Sequence, residues 1–357
     1  MKKRFIQFAI VGAIAGLSVL GVTAATAGVK SHRASIQACG LMPDTKTSTR
    51  WLLYDQPSLE KSFKAAGIPA RIVNAQGDPQ KQKTQADQCI ADGAKVLIIA
   101  PIDSGSAAAI EKAALAKGVK SIDYDRQVEG GSAVLYASFD GHQVGVFEGQ
   151  GVITGLKANG NYSKHPVVAS LWGGQEDANS FLFKGGVDAV LNPLYANGTF
   201  KKGPQQFVPG WDNQKAGTIF QQMLVKTGNK IDAVAGANDG LANAVIVALQ
   251  SAKLKPIPVT GQDATTQGVQ NIISGWQTST VWKDERTLAA LTVKAASAII
   301  KGGKLPTTGV VATKGRPPEH AYLIKPVQIT KANWRQLITS GFYKKSDICN
   351  GKYAQYC

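Results

Sequence analysis

Polar and aromatic residues recur at the ends of apolar runs, and their types suit the holding of a polyhydroxylated ring. Asp125-Arg126 follows the run 120–124, and Asp177-x-Asn179 follows the run 165–171 after Trp172-Gly173-Gly174. Asn238-Asp239-Gly240 follows 231–236, and Gly261-Gln262-Asp263 follows 256–260. Arg50-Trp51 stands after the polar segment 43–49, Trp211 sits in the turn Val208-Pro209-Gly210-Trp211-Asp212, and Lys283 ends the run 278–282. Each residue alone has an ordinary explanation. Asp and Asn ahead of a helix are favoured N-caps, Asp125-Arg126 reads as a local ion pair, a surface Lys is normally solvated, and an indole belongs more often to a core than to a binding platform. Together they form a set. Carboxylates, amides and cationic donors match hydroxyls that each donate and accept. Indole faces match the apolar C–H face of a pyranose.

Catalytic patterns are weak by comparison. The four histidines, His32, His142, His165 and His320, are far apart and share no metal-ligand spacing. No G-x-S-x-G elbow, phosphate loop or dinucleotide-binding glycine fingerprint occurs. No cofactor and no metal are expected. A secreted sugar-processing enzyme remains the alternative that pairs of Asp residues keep open.

The elements that must carry these residues alternate. Residues 95–103 read KVLIIAPID, a continuous apolar run of the kind found in strands buried on both faces. A helical segment follows at 107–117, the strand 120–124 comes next, and strands at 165–171, 231–236 and 256–260 are each followed by polar loops and helical segments. Alternating strands and helices predict an α/β fold with a parallel sheet covered on both faces. In such sheets ligands sit beyond the carboxyl ends of the strands, which is where the polar residues collect. The pattern helix, Lys- or Pro-rich turn, strand, Asp occurs at 113–125 and again at 248–263. It predicts two similar doubly wound lobes facing each other across a ligand cleft.

With 357 residues the chain has room for two such lobes, each with its own core. The start, Met1-Lys2-Lys3-Arg4, an apolar run over 6–22 and the small-x-small site Ala25-Thr26-Ala27 have the order of a secretory signal peptide, with cleavage expected after Ala27. Export places the protein in the periplasm and allows disulfides. Cys349 and Cys357 bracket a short loop and form the obvious local pair, which leaves Cys39 with Cys89. The net charge of +16 invites a nucleic-acid reading, but export and the single scattering of the lysines argue against nucleic acid as a partner.

In order and spacing, several stretches resemble the periplasmic sugar-binding proteins of the type I, ribose-binding-protein-like class that serve ABC transporters, nearest to their xylose-binding and multiple-monosaccharide-binding branch. They are 42–51, Tyr124-Asp125-Arg126, 137–140 with 143–145, Gly173-Gly174 leading to Asp177 and Asn179, Asn238-Asp239, 261–264, 277–283 and 323–326. The resemblance runs from about residue 36 to about residue 343. It implies capture of a monosaccharide, a pentose or hexose aldopyranose of the xylose kind, and its delivery to ABC permease subunits by hinge closure. A chemoreceptor is a further partner it implies. Ligand-binding roles would fall to Arg50, Asp125 and Arg126 in the N-terminal lobe, and to Asp177, Asn179, Asn238 and Asp263 in the C-terminal lobe. Lys283 would bind from a crossing, with Trp51 and Trp211 sandwiching the ring. A sugar-responsive regulator shares this fold, but would need a helix-turn-helix where the apolar segment stands. The Cys-bearing tail and Cys39 depart from the family's usual pattern. The expected lobes are 33–140 plus 283–312 and 141–282 plus 313–340, with a tail over 341–357 and crossings near Asp140, Trp282 and Thr313.

Overall fold

Strand β1 (Ala38–Met42) and strand β3 (Val96–Ile99) are buried along their whole length, and their side chains divide by period two between two cores. Ala38, Met42, Val96 and Ile98 pack on one face of the sheet, and Cys39, Leu41, Leu97 and Ile99 on the other. This is the physical content of the continuous apolar runs: neither face meets water. The computed structural model describes residues 35–357; the cationic and apolar start and the expected cleavage site at Ala27 lie outside the described residues.

The first lobe is a seven-stranded sheet in the order β10-β11-β5-β4-β3-β1-β2. Its further strands are β2 (Ala70–Asn74), β4 (Lys120–Tyr124), β5 (Leu135–Phe139), β10 (Gly309–Val311) and β11 (Glu319–Ile324). All neighbours are parallel except β10 and β11. Helix α1 (Gln56–Ala65) packs with α9 (Glu285–Lys301), and α2 (Pro79–Ala91) with α3 (Ser104–Ala116). Leu59, Phe63, Leu288 and Val293 share the core of Ala38 and Met42, while Ala86, Ala107 and Ile110 share that of Cys39 and Leu41.

The second lobe is built on β6 (Val167–Trp172), flanked in parallel by β7 (Lys201–Phe207) and β8 (Ala233–Gly236). Single bridges from Val234 to Val259 and from Thr260 to Ser279 extend it to β9 (Ser279–Trp282), which pairs antiparallel with β12 (Val327–Thr330). The segment 256–260, expected as a strand, makes only these isolated bridges. Helices α4 (Gly141–Ala158), α5 (Ala178–Ala196), α6 (Asn213–Thr227), α7 (Asp239–Ser251) and α8 (Thr266–Ile273) cover this sheet. Helices α4 and α5 nearly touch: a Cβ on Gly145 would lie 1.9 Å from the Phe183 carbonyl oxygen, so glycine is required there.

The chain passes between lobes at Asp140, which joins β5 to α4, and at Lys283–Asp284, which joins β9 to α9. The third crossing differs from the one expected near Thr313. Strands β10 and β11 belong to the first sheet, because β11 pairs in parallel with β5 from Ala321↔Tyr136 to Ile324↔Phe139 and fills an edge that β5 would otherwise expose. The passage therefore lies at Lys325–Pro326, between β11 and β12, and the segment 313–324 is corrected to the N-terminal lobe. Both cysteine pairs form: Cys39–Cys89 ties β1 to α2, and Cys349–Cys357 closes the tail.

Candidate functional site

The ten residues singled out in the sequence line one pocket between the lobes: Arg50, Trp51, Asp125, Arg126, Asp177, Asn179, Trp211, Asn238, Asp263 and Lys283. Its empty space, counted with the open side, is about 280 Å³. Thr47, Ser48, Phe183 and Gln262 complete the lining. Thr47 and Ser48 escaped the sequence reading because short hydroxyl residues in a polar loop carry no distinguishing signal. Phe183 lies inside an apolar helix. Gln262 belongs, with Asp263, to the polar set that the sequence shows at the end of the run 256–260.

Backbone geometry aims several of these side chains. Asp125, Trp211 and Asp263 have φ of 63°, 54° and 91°, a region that costs non-glycine residues about 1–3 kcal/mol each and persists where surrounding contacts fix it. The Asp125 carbonyl accepts from Ser138 Oγ at 2.8 Å, Tyr136 OH at 3.1 Å and Asn179 Nδ2 at 2.9 Å. The loop carrying Asp263 is held by Asp239, whose carboxylate accepts from Gln277 Nε2 at 2.8 Å and from the Thr265 amide at 2.8 Å. Burial pushes the Asp239 carboxyl up to about 7. Asp177 and Asn238 do cap helices, accepting from the Asn179 and Leu241 amides, and their remaining polar atoms bond across the cleft, Asp177 Oδ2 to Arg126 and Asn238 Nδ2 to the Thr47 carbonyl. Asp263 is not the cap of α8; Thr265 is.

Charge runs through the site as a chain. Arg50 grips Asp55 with Nε at 2.7 Å and Nη2 at 2.8 Å, and reaches Asp125 with Nη1 at 2.8 Å. Lys283 lies 3.4 Å from Asp125 and 3.3 Å from Asp263. Burial alone would raise the Asp125 carboxyl, but Arg50, Lys283 and Arg126 hold it down at about 2. Burial raises Asp177 in spite of Arg126, whose Nε stands 2.9 Å from its carboxylate. The lobes are closed on each other here. Ser48 Oγ donates to Asp263 at 2.9 Å, Asn238 Nδ2 to the Thr47 carbonyl at 3.3 Å, and Asn179 bridges to the Asp125 carbonyl.

The aromatic residues differ in role. Trp51 carries the guanidinium groups of Arg50 and Arg126 over its ring, at 4.7 and 5.2 Å from the centroid. Trp211 rests edge-on against Phe183, with ring centroids 6.3 Å apart. Two buried atoms of lining residues, Gln262 Oε1 and Trp211 Nε1, make no hydrogen bond within the protein, while Asp263 Oδ1 is held by ion pairs with Lys283 at 3.3 Å and Arg50 at 3.8 Å. Buried polar groups are ordinarily paired, so this lining is complementary to a polar ligand. Among the described residues no three His, Cys, Asp or Glu side chains converge as a metal ion would require.

The sequence pattern described as the periplasmic binding protein domain matches residues 39–304. The chain belongs to the periplasmic binding protein family. It is 32% identical over 351 residues to the multiple sugar-binding periplasmic protein SbpA of Azospirillum brasilense, covering 94% of this chain and 98% of that one. It is 30% identical to the D-xylose-binding periplasmic protein of Escherichia coli K12, covering 90% of this chain and 94% of the other. Among solved structures, an ABC transporter solute binding protein from Clostridium phytofermentans with bound β-D-glucose superposes with a TM-score of 0.82 at 30% identity, covering 87% of this chain and 99% of that one.

In this periplasmic binding protein the seat of Trp211 can be tested directly. A Cβ on Gly173 would stand 2.0 Å from Cζ2 of the Trp211 ring. Gly173→Ala is expected to displace the indole, cost about 1–3 kcal/mol by overpacking and shift the intrinsic fluorescence. Chemical unfolding and emission spectra that match the parent would show that Trp211 does not depend on this seat.

Proposed function

We propose that this chain is the extracytoplasmic receptor of an ABC importer, that it captures a monosaccharide in its pyranose form, and that it releases the sugar unchanged. One observation carries the reading: a buried interlobe pocket whose lining sets the unbonded Gln262 Oε1 and Trp211 Nε1 beside ion-paired Arg, Lys and Asp groups. Arg50, Asp125, Arg126, Asp177, Asn179, Asn238, Asp263 and Lys283 receive the hydroxyls. Trp211 offers the stacking face, and Trp51 backs the two guanidinium groups rather than serving as a second face. The names of the relatives, which bind sugars including D-xylose, and the neighbour with bound β-D-glucose support the ligand class. Because ligands touch both lobes, sugar favours the closed form over the open one, and permease subunits read that shape. The signal-like start supports export to the periplasm.

A panel of xylose, glucose, galactose and arabinose tests the proposal. At a hundred times its dissociation constant the right sugar stabilises the fold by about 2.7 kcal/mol, and tryptophan emission changes with it. Recovery of the sugar unaltered separates capture from catalysis. A panel that moves neither melting temperature nor fluorescence defeats the sugar assignment, and turnover of any member defeats the receptor role.

A further inference from the structure

Residues 331–357 lie beyond the last strand and outside the pocket, yet they touch both lobes. The short helices Gln336–Thr339 and Lys345–Ile348 bury Trp334, Leu337, Tyr343 and Ile348 against Ala264, Val269, Ile273, Trp282 and Ile329 of the C-terminal lobe. The disulfide Cys349–Cys357 closes the end of the tail, and Gln270 Nε2 donates to the Ile348 carbonyl at 3.1 Å. At the turn between the short helices two aromatic residues face the site machinery.

Tyr343 OH donates to the Ala264 carbonyl at 2.8 Å. Ala264 has φ of 47° and follows Asp263 at φ of 91°, so two consecutive residues hold left-handed backbone where neither is glycine. The amide side of this pair is held by Val281 O on Asp263 and Thr280 Oγ1 on Ala264. Tyr343 supplies the restraint on the carbonyl side. The same hydroxyl accepts from Tyr54 OH at 3.1 Å. Tyr54 belongs to the N-terminal lobe and to the helical turn Trp51–Asp55 that directly follows Arg50. Phe342 stacks on Tyr54 with centroids 5.0 Å apart, lies 5.4 Å from Trp282 where β9 runs into the crossing, and carries the Arg286 guanidinium at 5.2 Å. Arg286, at the start of α9, also donates to the Ser340 carbonyl at 3.2 Å.

We infer that Tyr343 and Phe342 are positioning residues for ligand binding: the tail braces the crossing at Lys283 and, through the Ala264 carbonyl, holds the strained Asp263–Ala264 pair so that the Asp263 carboxylate faces the pocket. Strained backbone persists only when its surroundings over-determine it, and these contacts arrive from outside the lobe that carries Asp263. The inference rests on the receptor reading above, because it concerns how one pocket carboxylate is presented.

Tyr343→Phe keeps the buried ring and deletes the hydroxyl. With xylose and glucose titrated by intrinsic fluorescence, affinity is expected to fall about fivefold to tenfold, the equivalent of one buried hydrogen bond. In an Asp263→Ala background the same substitution is expected to change affinity less than about twofold, since no carboxylate remains to be placed. Tyr54→Phe, which keeps the stack on Phe342, reproduces the pattern more weakly and covers the case in which Tyr343→Phe does not fold. Equal losses in both backgrounds mean a merely structural tail and overturn the brace, as does no loss in either. A parent protein that binds neither sugar, or an Asp263→Ala variant that binds like the parent, removes the receptor reading or its site and the brace with it.

Discussion

Asp263→Ala is expected to weaken sugar binding on the order of a hundredfold or more while leaving the sugar-free fold nearly as stable as the parent. The carboxylate stands 4% exposed at the strand end, with Lys283 at 3.3 Å and Ser48 at 2.9 Å. A hydrogen bond to a charged group contributes about 1.5–3 kcal/mol, so losing two sugar hydroxyls costs at least two decades of affinity. The competing explanation, that Asp263 serves as a helix cap, would cost about 1 kcal/mol of stability and spare the affinity. Thr265 already performs that capping for α8. Asp263 also receives the Ser48 hydroxyl from the other lobe, so its removal deprives the closed form of a contact in addition to the ligand. Scattering should find the variant extended at sugar concentrations that compact the parent. A variant that binds and compacts like the parent would remove Asp263 from the site.

Several residues that line this pocket stand out in the sequence because the physics of open α/β sheets concentrates loops at one edge of each sheet, whereas the binding roles of Arg50, Trp51, Trp211 and Lys283 rest on the family resemblance. An Asp or Asn just past an apolar run is then already near the cleft. Capping and contact across the cleft are compatible rather than exclusive: Asn238 accepts from the Leu241 amide with Oδ1 and still donates from Nδ2 to the Thr47 carbonyl. Other features were beyond local pattern. Asp55, Tyr124 and Glu285, which surround Arg50, come from three separate elements and meet only once the turn before α1 and the start of α9 pack together over one face of the sheet. Strand β11, with His320 exposed and its last three residues half-buried, has none of the continuous apolar character that betrays β3. Its place is set by the open edge of β5, a long-range pairing with no local signature. The tail is similar: Tyr343 and Phe342 lie in an unremarkable aromatic pair until α8 and Tyr54 are packed against them.

The loss of Arg50 should be felt in stability as much as in binding. Its guanidinium is 1% exposed and holds two carboxylates, Asp55 with two hydrogen bonds and Asp125 with one, while Glu285 lies 3.4 Å away. Arg50→Met fills similar volume with no charge and strands these acids in the interior. Breaking a buried pair by removing one partner costs about 3–5 kcal/mol. Arg50→Lys restores the charge but not the planar fork that grips Asp55 and Asp125 together, so it should fall between the two. The penalty must also depend on pH in a definite direction. In the parent, Asp125 is held at about 2, below its ordinary 3.8, so its contribution to stability is complete above about pH 5 and is lost as pH falls towards 2. Without Arg50 that depression relaxes, and Asp55, already raised by burial against the pull of Arg50, rises further. Both changes make the variant bind protons that the parent does not. The stability gap between parent and Arg50→Met is therefore largest where these carboxyls are ionised in both proteins and narrows as pH falls, through Asp55 first, above the ordinary carboxylate range, and through Asp125 as pH falls towards 2. Chemical unfolding of both proteins at neutral pH and at about pH 3 measures it. A gap that stays constant or widens in acid would mean that Arg50 does not stabilise the fold through these carboxylates.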